Sequence, residues 1–309
     1  MKKIVVVGSS NVDTTLHVKD FPKPGETINA LDITSAGGGK GANQAIAAAK
    51  GGSDTNFINR VGEDSDGRFI LSQLKSYGVD TTYVQTTSGK NTGHAYINLN
   101  EAGQNNIIID HGANYELSIE DIDAAEDLIS ESDAVITQFE TPLDVAIEAF
   151  KLAKKHAVVT ILNPAPAIEN IPNELLKLTD LITPNETEAG VITGIEISDE
   201  TSLKEASDKL HGLGIENVVI TNGAKGSYLS TKKVEKMVPA FKVEAVDTTG
   251  AGDTFLGFLA SQLETDFSNI EEAAIFASRA SSIAVSRLGA QPSIPTFNEV
   301  KEAMGKNNG

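Results

Sequence analysis

Short, mostly apolar runs at 4–7, 56–58, 134–137, 158–162, 181–183 and 218–221 alternate with stretches of helical pattern such as "ANQAIAAAK" and "PLDVAIEAFKLAKKH". A strand that reads apolar throughout is buried on both faces, as in a parallel sheet covered by helices. The alternation therefore predicts βαβ units and a three-layer α/β/α fold around a mostly parallel sheet. Two segments break the rhythm. Residues 11–36 and 91–110 look extended, and the second, "GHAYINLNEAGQNNIIID", reads as a hairpin turning near 101–103. Both are expected to form a small β-sheet lid over a cleft. The 309 residues then make a single domain, 1–309, with these two insertions.

Composition removes several classes of function. Without cysteine the chain has neither disulfides nor thiolate metal sites. Its histidines, at 17, 94, 111, 156 and 211, have no zinc-ligand spacing. A net charge of −18 argues against nucleic acid and anionic membranes as partners. The opening "MKKIVVVGSSN" is less apolar than a signal peptide requires, and no run approaches the roughly 20 apolar residues of a membrane span. A cytoplasmic enzyme is expected, ending in a polar tail, "GKNNG".

Polar clusters follow four of the apolar runs: "QFE", "NPAP", "PNETE" and "NGAKG". Each alone could be an ordinary turn. Together they fit the rule that open α/β sheets bind ligands beyond the carboxyl ends of their strands.

The stretch "DTTGAGDTF" (247–255) poses a sharper question. Gly250, Ala251 and Gly252 offer bare amides before an apolar helical run at 254–263, the arrangement that attracts anions. Yet carboxylates flank them, Asp247 and Asp253. The stretch lacks the Lys and Ser/Thr of a Walker loop and the third glycine of a dinucleotide fingerprint. Asp253 reads either as an ordinary helix N-cap or as a functional carboxylate. A second glycine cluster, "AGGGKGANQA" (36–45), precedes another helix and adds Lys40 and Asn43. It reads as a flexible turn or as backbone that must approach a ligand closely.

"AGGGKGANQA" and "DTTGAGDTF" resemble the two signatures of the ribokinase-type (PfkB) carbohydrate kinases. "GSSNVD", "PGET", "QFETP", "NPAPA", "TPNETEA" and "GAQPSIP" extend the resemblance, in order, from residue 8 to residue 295. It implies ATP-dependent phosphorylation of D-ribose at its 5-hydroxyl by a homodimer joined through the β-lid. Asp253 would take the proton from the sugar hydroxyl, and the amides of Gly250, Ala251 and Gly252 would hold the charge on the transferred phosphoryl group. Asn11, Asp13, Gly38, Gly39, Lys40, Asn43 and Glu140 would bind the sugar. Carboxylates and amides suit a neutral polyol, each accepting or donating several hydroxyl bonds.

The resemblance further implies that Asn185 meets the ATP phosphates and that Glu188 organises Mg²⁺ through water. The same NxxE spacing also reads as a helix start. Thr221, Asn222, Gly223, Ala224, Lys225 and Gly226 would line the nucleotide. Ser278 stands where some members of the family place a histidine on the adenine. For K⁺, the resemblance implies the Asp247 carboxylate, the carbonyls of Thr249, Ala284, Arg287 and Gly289, and Ser293. Fructose, 2-keto-3-deoxygluconate or nucleoside kinases of the same family remain open alternatives, as does a non-catalytic sugar-binding regulator. A sugar phosphate fits less well, since no arginine cluster lies near the lid.

Overall fold

A computed structural model describes residues 1–305, so the polar end of the chain beyond Gly305 lies outside the described residues. Strand Lys3–Val7 shows why its neighbourhood is apolar throughout. Ile4 and Val6 pack into a cluster with the helices Lys40–Lys50, Ala251–Gln262 and Ile270–Ala284. Val5 and Val7 face the opposite cluster, with Leu143–Lys155 and Glu200–Gly212. All four side chains are fully buried. Period-two alternation sends successive side chains to opposite faces, and here each face has its own helical layer.

The large sheet runs Glu235–Val238, Ser227–Ser230, Asn217–Thr221, Leu181–Ile182, Val159–Leu162, Ala134–Thr137, Lys3–Val7, Asp54–Gly62, Val79–Asp80. Its pairs are parallel except for the two antiparallel ones made by Ser227–Ser230. Val7 is in register with Thr137, and Thr137 with Leu162, so these three neighbouring strands end together, while Asp54–Gly62 runs on past Ile58. The polar segments after them are thereby gathered along one edge. Among the described residues, no helix is long and apolar enough to cross a membrane.

Residues 11–36 and 91–110 contribute to a separate sheet ordered Asp32–Gly38, Asn11–Val18, Gly93–Asn100, Asn105–Asp110. The 93–110 hairpin turns where Gly103 donates to the Asn100 carbonyl at 3.0 Å. Gly103 has φ 76°, a conformation glycine adopts without steric cost. A buried amide network anchors this sheet to the body. Ser10 donates to Asn59 Oδ1 at 2.8 Å, Asn59 to Asn114 Oδ1 at 2.9 Å, and Asn114 to Asn11 Oδ1 at 2.9 Å. Its two opposite edge strands, in contrast, carry exposed apolar side chains: Ile33 on one is 59% exposed, and Ile107 and Ile108 on the other are 53% and 64% exposed.

Helices Lys40–Lys50 and Ala251–Gln262 cross almost in backbone contact. A Cβ on Gly257 would lie 2.4 Å from Ala47 Cβ and 2.7 Å from the Gln44 carbonyl. This tight crossing sets the distance between the two glycine-rich loops that precede the helices.

Candidate active site

The helix expected from 254 begins earlier, at Ala251, because Gly250 takes the N-cap position with φ 71°. This removes the N-cap reading of Asp253, which lies in the first helical turn and is only 9% exposed. Its carboxylate is held by two amides from the other helix. Asn43 donates to Oδ2 at 3.1 Å and Gln44 to Oδ1 at 2.9 Å. Asn43 Oδ1 is buried and has no partner among the described residues.

The glycine cluster is not a flexible turn. Gly37 and Gly38 end a strand, Gly39 caps the next helix with φ 87°, and Gly41 lies in its first turn. A Cβ on Gly39 would sit 2.7 Å from Ser10 Cα, and one on Gly38 would sit 2.0 Å from Asp13 Oδ2. The glycines therefore let strand 11–18 and its approach lie against the start of the helix. There the Lys40 amide donates to Glu140 Oε2 at 3.1 Å, and the Ser9 hydroxyl donates to the same oxygen.

The charges in this region shift one another. Burial, with Glu140 and Asp253 nearby, raises the Asp13 carboxyl to about 7, against a lowering contribution from His94. For Lys40, burial works against the charge. Asp253, Glu140 and Glu188 outweigh it and raise the ammonium above its usual range. Lys40 is thus a firmly charged cation among carboxylates.

Lys40 and Asp253 also line a cavity of about 210 Å³ that Asp13 does not line. Its walls include Asn163, Asn185, Glu188, Thr221 and Gly252. Asn185 and Glu188 form a capping box at the start of helix Glu186–Thr193: Asn185 Oδ1 accepts from the Glu188 amide and Glu188 Oε2 from the Asn185 amide, both at 2.8 Å. The helix-start reading of this pair is therefore realised on the cavity wall itself. Burial raises the Glu188 carboxyl, opposed by the Asn185 hydrogen bond and by Lys40.

Gly252 faces open space, since a Cβ there would meet no atom within 4 Å. Its amide donates no hydrogen bond among the described residues, whereas that of Ala251 is engaged by the Thr248 carbonyl at 3.2 Å.

Other expected positions lie further out. Of 221–226, only Thr221 lines the cavity. Asn222 is buried, Gly223–Lys225 form a single 3₁₀ turn before Gly226, and Lys225 Nζ donates to the Ser198 carbonyl at 3.2 Å. Ser278 is buried on helix Ile270–Ala284 and does not line the cavity.

Behind the 248–252 loop, Asp247 accepts from the amides of Thr249 and Gly289, each at 2.9 Å. Burial would raise this carboxyl, but those hydrogen bonds prevail and lower it. The Ala284 carbonyl accepts from the Arg287 amide at 3.0 Å, and Ser293 Oγ donates to the Ala290 carbonyl at 2.6 Å. The carbonyls of Thr249, Arg287 and Gly289 accept no hydrogen bond among the described residues.

Three residues at the centre of this arrangement escaped sequence analysis: Gln44, Gln138 and Asn163. Gln44 Nε2 donates to Asn163 Oδ1 at 3.0 Å as well as to Asp253, and Gln138 Nε2 donates to Gln44 Oε1 at 2.7 Å. Gln138 and Asn163 fall in the polar clusters after strands. Gln44 sits inside the signature "AGGGKGANQA", next to Asn43, but the motif alone does not single it out.

Comparison with known proteins agrees with this layout. Residues 1–297 match the family described as pfkB family carbohydrate kinase. The chain is 51% identical, over 96% of its length, to the bifunctional ribokinase/ribose-5-phosphate isomerase A of Fructilactobacillus sanfranciscensis, of which it spans 55%. It is 45% identical to the ribokinase of Staphylococcus aureus, over 97% of this chain and 99% of that one. The solved structure of Arabidopsis thaliana ribokinase complexed with ribose and ATP superposes with a TM-score of 0.88 at 37% identity, covering 97% of this chain and 98% of that one. A match across the whole α/β body, including both glycine-rich loops, makes this chain a member of the pfkB family of carbohydrate kinases.

Proposed function

We propose that this chain transfers the γ-phosphoryl group of ATP to the 5-hydroxyl of D-ribose. The observation that carries the reading is the position of Asp253. Its carboxylate lies between a polar group suited to a sugar, with Asn43, Glu140 and Asp13, and a cavity with a free helix-terminal amide at Gly252. The names of the ribokinase relatives, and the ribose and ATP of the plant structure, support the same choice.

The two carboxylates beside the glycine loop then have separate tasks. Asp253 accepts the proton of the sugar hydroxyl, whose oxygen forms a bond to the γ-phosphorus while the bond to the β–γ bridging oxygen breaks, releasing ADP. The Gly250–Gly252 loop and the helix start stabilise the charge on the transferred group, with the unengaged Gly252 amide the best placed of the three. Lys40, kept charged, offsets the carboxylates that would otherwise repel phosphate. Asn11, Asp13, Gly38, Gly39, Asn43 and Glu140 bind the hydroxyls. The unpaired Asn43 Oδ1 is ready for one of them.

Asn185 and Glu188 serve the phosphate side. The capping box occupies one Glu188 oxygen, leaving the other for a water of Mg²⁺, which suits a cation that keeps its hydration shell. When bound, Mg²⁺ neutralises phosphate charge. Thr221 on the cavity wall, and residues 222–226 and Ser278 beyond it, are assigned to the nucleotide. Asp247, the unpartnered carbonyls of Thr249, Arg287 and Gly289, the Ala284 carbonyl and Ser293 fit a large, weakly hydrated cation such as K⁺. We further assign closure over the sugar to the small sheet, homodimerisation to the exposed apolar side chains of its edge strands, and the cytoplasm as the compartment where ATP is at hand.

A coupled ADP-release assay over a sugar panel tests the substrate. A site built to bond specific hydroxyls rejects analogues that leave its groups unpaired. Ribose should exceed fructose, 2-keto-3-deoxygluconate and adenosine in kcat/KM. A hexose or nucleoside in first place would reassign the substrate within the family, and no turnover with any of them would favour a sugar-binding regulator.

A further inference from the structure

Gln44 is fully buried one turn into helix Lys40–Lys50, at a position whose packing neighbours are otherwise small and apolar. A buried amide must find partners for its donors and acceptor, and this one finds three. Its Nε2 donates to Asp253 Oδ1 at 2.9 Å and to Asn163 Oδ1 at 3.0 Å, and its Oε1 accepts from Gln138 Nε2 at 2.7 Å. Reversing the amide would set its oxygen against two acceptor oxygens and its NH₂ against a donor, so the network admits one orientation. Both outer partners are fixed in turn. Gln138 is 1% exposed just beyond strand Ala134–Thr137, and Asn163 Nδ2 donates to the Thr183 carbonyl at 3.0 Å beyond strand Val159–Leu162. Gln44 thus ties the Asp253 carboxylate to two strand ends of the central sheet.

We infer that Gln44 is the positioning residue for Asp253, and that Gln138 acts by holding Gln44. The role rests on the proposed reading of Asp253 as the base. A donor on Oδ1 fixes the plane of the carboxylate for such a base, and therefore where the remaining lone pairs point. Asn43 cannot replace it, because Asn43 holds the other oxygen and has a sugar-binding role of its own.

The test is steady-state kinetics for Gln44→Met, Gln138→Met, the double variant, and Gln44→Met in an Asp253→Asn background. Gln44→Met should lower kcat roughly ten- to a hundredfold, the scale of a small misplacement of a reacting group, with KM for ribose little changed. Gln138→Met should have a smaller effect, and the double variant should match Gln44→Met alone. In the Asp253→Asn background, Gln44→Met should cost nothing further.

Wild-type turnover in Gln44→Met would overturn the inference. So would an equal fractional loss with and without Asp253. Should the methionine variant fail to fold, Gln44→Glu is isosteric and sets a second carboxylate against Asp253. Without the Nε2 donor its kcat should fall with KM for ribose little changed, and a kcat equal to the parent's overturns the role. Asp253→Asn with normal turnover would instead remove the base assignment, a different failure from the loss of Gln44's role alone.

Discussion

Asp247 holds the amide of Gly289 at 2.9 Å with one carboxylate oxygen while the other holds Thr249, so two loops 42 residues apart in sequence share one anchor. If this anchor is also a K⁺ ligand, activity in buffer free of both K⁺ and Na⁺ should rise when K⁺ is added at constant ionic strength. Cs⁺ should substitute better than Na⁺, since carbonyl-rich sites favour large, weakly hydrated cations. Asp247→Ala should remove the activation. Equal rates in all salts would leave Asp247 a loop anchor and nothing more.

Asp253→Asn tests the base. Turnover should fall by roughly 10²–10⁴. A second effect follows from the hydrogen bonds. The new amide group must place an NH₂ against one of the donors, Asn43 or Gln44, which costs about 1–3 kcal/mol for a buried unsatisfied polar group. A lower Tm with ribose affinity largely kept is the expected pair of results. Turnover near that of the parent in a folded variant would rule the base out.

The two glycines of the 250–252 segment should respond in opposite ways. Gly250 has φ 71° and a would-be Cβ 3.2 Å from Ala290 Cβ, so Gly250→Ala should lower Tm. Gly252 has no such constraint and sits in the first turn of a helix, where alanine is about 0.5–1 kcal/mol better than glycine. Gly252→Ala should keep or raise Tm yet raise KM for ATP or lower kcat, because its methyl enters space given to phosphate. Unchanged kinetics would remove phosphate from that space.

Asp13 makes the free protein's stability depend on pH. Burial, Glu140 and Asp253 raise its carboxyl from 3.8 to about 7, so between those values the folded state binds more protons than the unfolded state. Stability from this group is full below about pH 3.8 and is lost as pH rises through about 7. Asp13→Asn should therefore be more stable than the parent at pH 8, with the gap closing as pH falls toward 4, while ribose affinity drops. Melting curves at both ends of the range measure it. A gap independent of pH would mean that Asp13 does not titrate as its surroundings dictate.

The body of the fold was legible because its signal is local. Strand 4–7 is apolar residue by residue, as burial on both faces demands, and helix Leu143–Lys155 matches the stretch read as "PLDVAIEAFKLAKKH". The start of helix Ala251–Gln262 was misplaced because Gly250-Ala-Gly252 looks like loop, and only the left-handed Gly250 shows where the cap falls. The glycine cluster at 37–41 was ambiguous for a related reason: its need for glycine comes from Ser9, Ser10 and Asp13, residues remote from it in the chain. Gln44 fell within a signature motif, but its role was not legible. Nothing local distinguishes an amide that supports Asp253 from one that merely tolerates burial, and their partnership spans 209 residues.

The near-contact of Gly257 with Ala47 and Gln44 has a consequence for how such an enzyme diversifies. One joint mounts both Asn43 and Asp253, and it has no spare volume for a side chain. Drift at this joint would alter every substrate's turnover together. The strands at 11–18 and 93–100 are joined to the body through amides and can change their outer residues without touching it. New sugar preferences should therefore accumulate in the small sheet, and a selection for them would return changes there while the helix crossing stayed fixed.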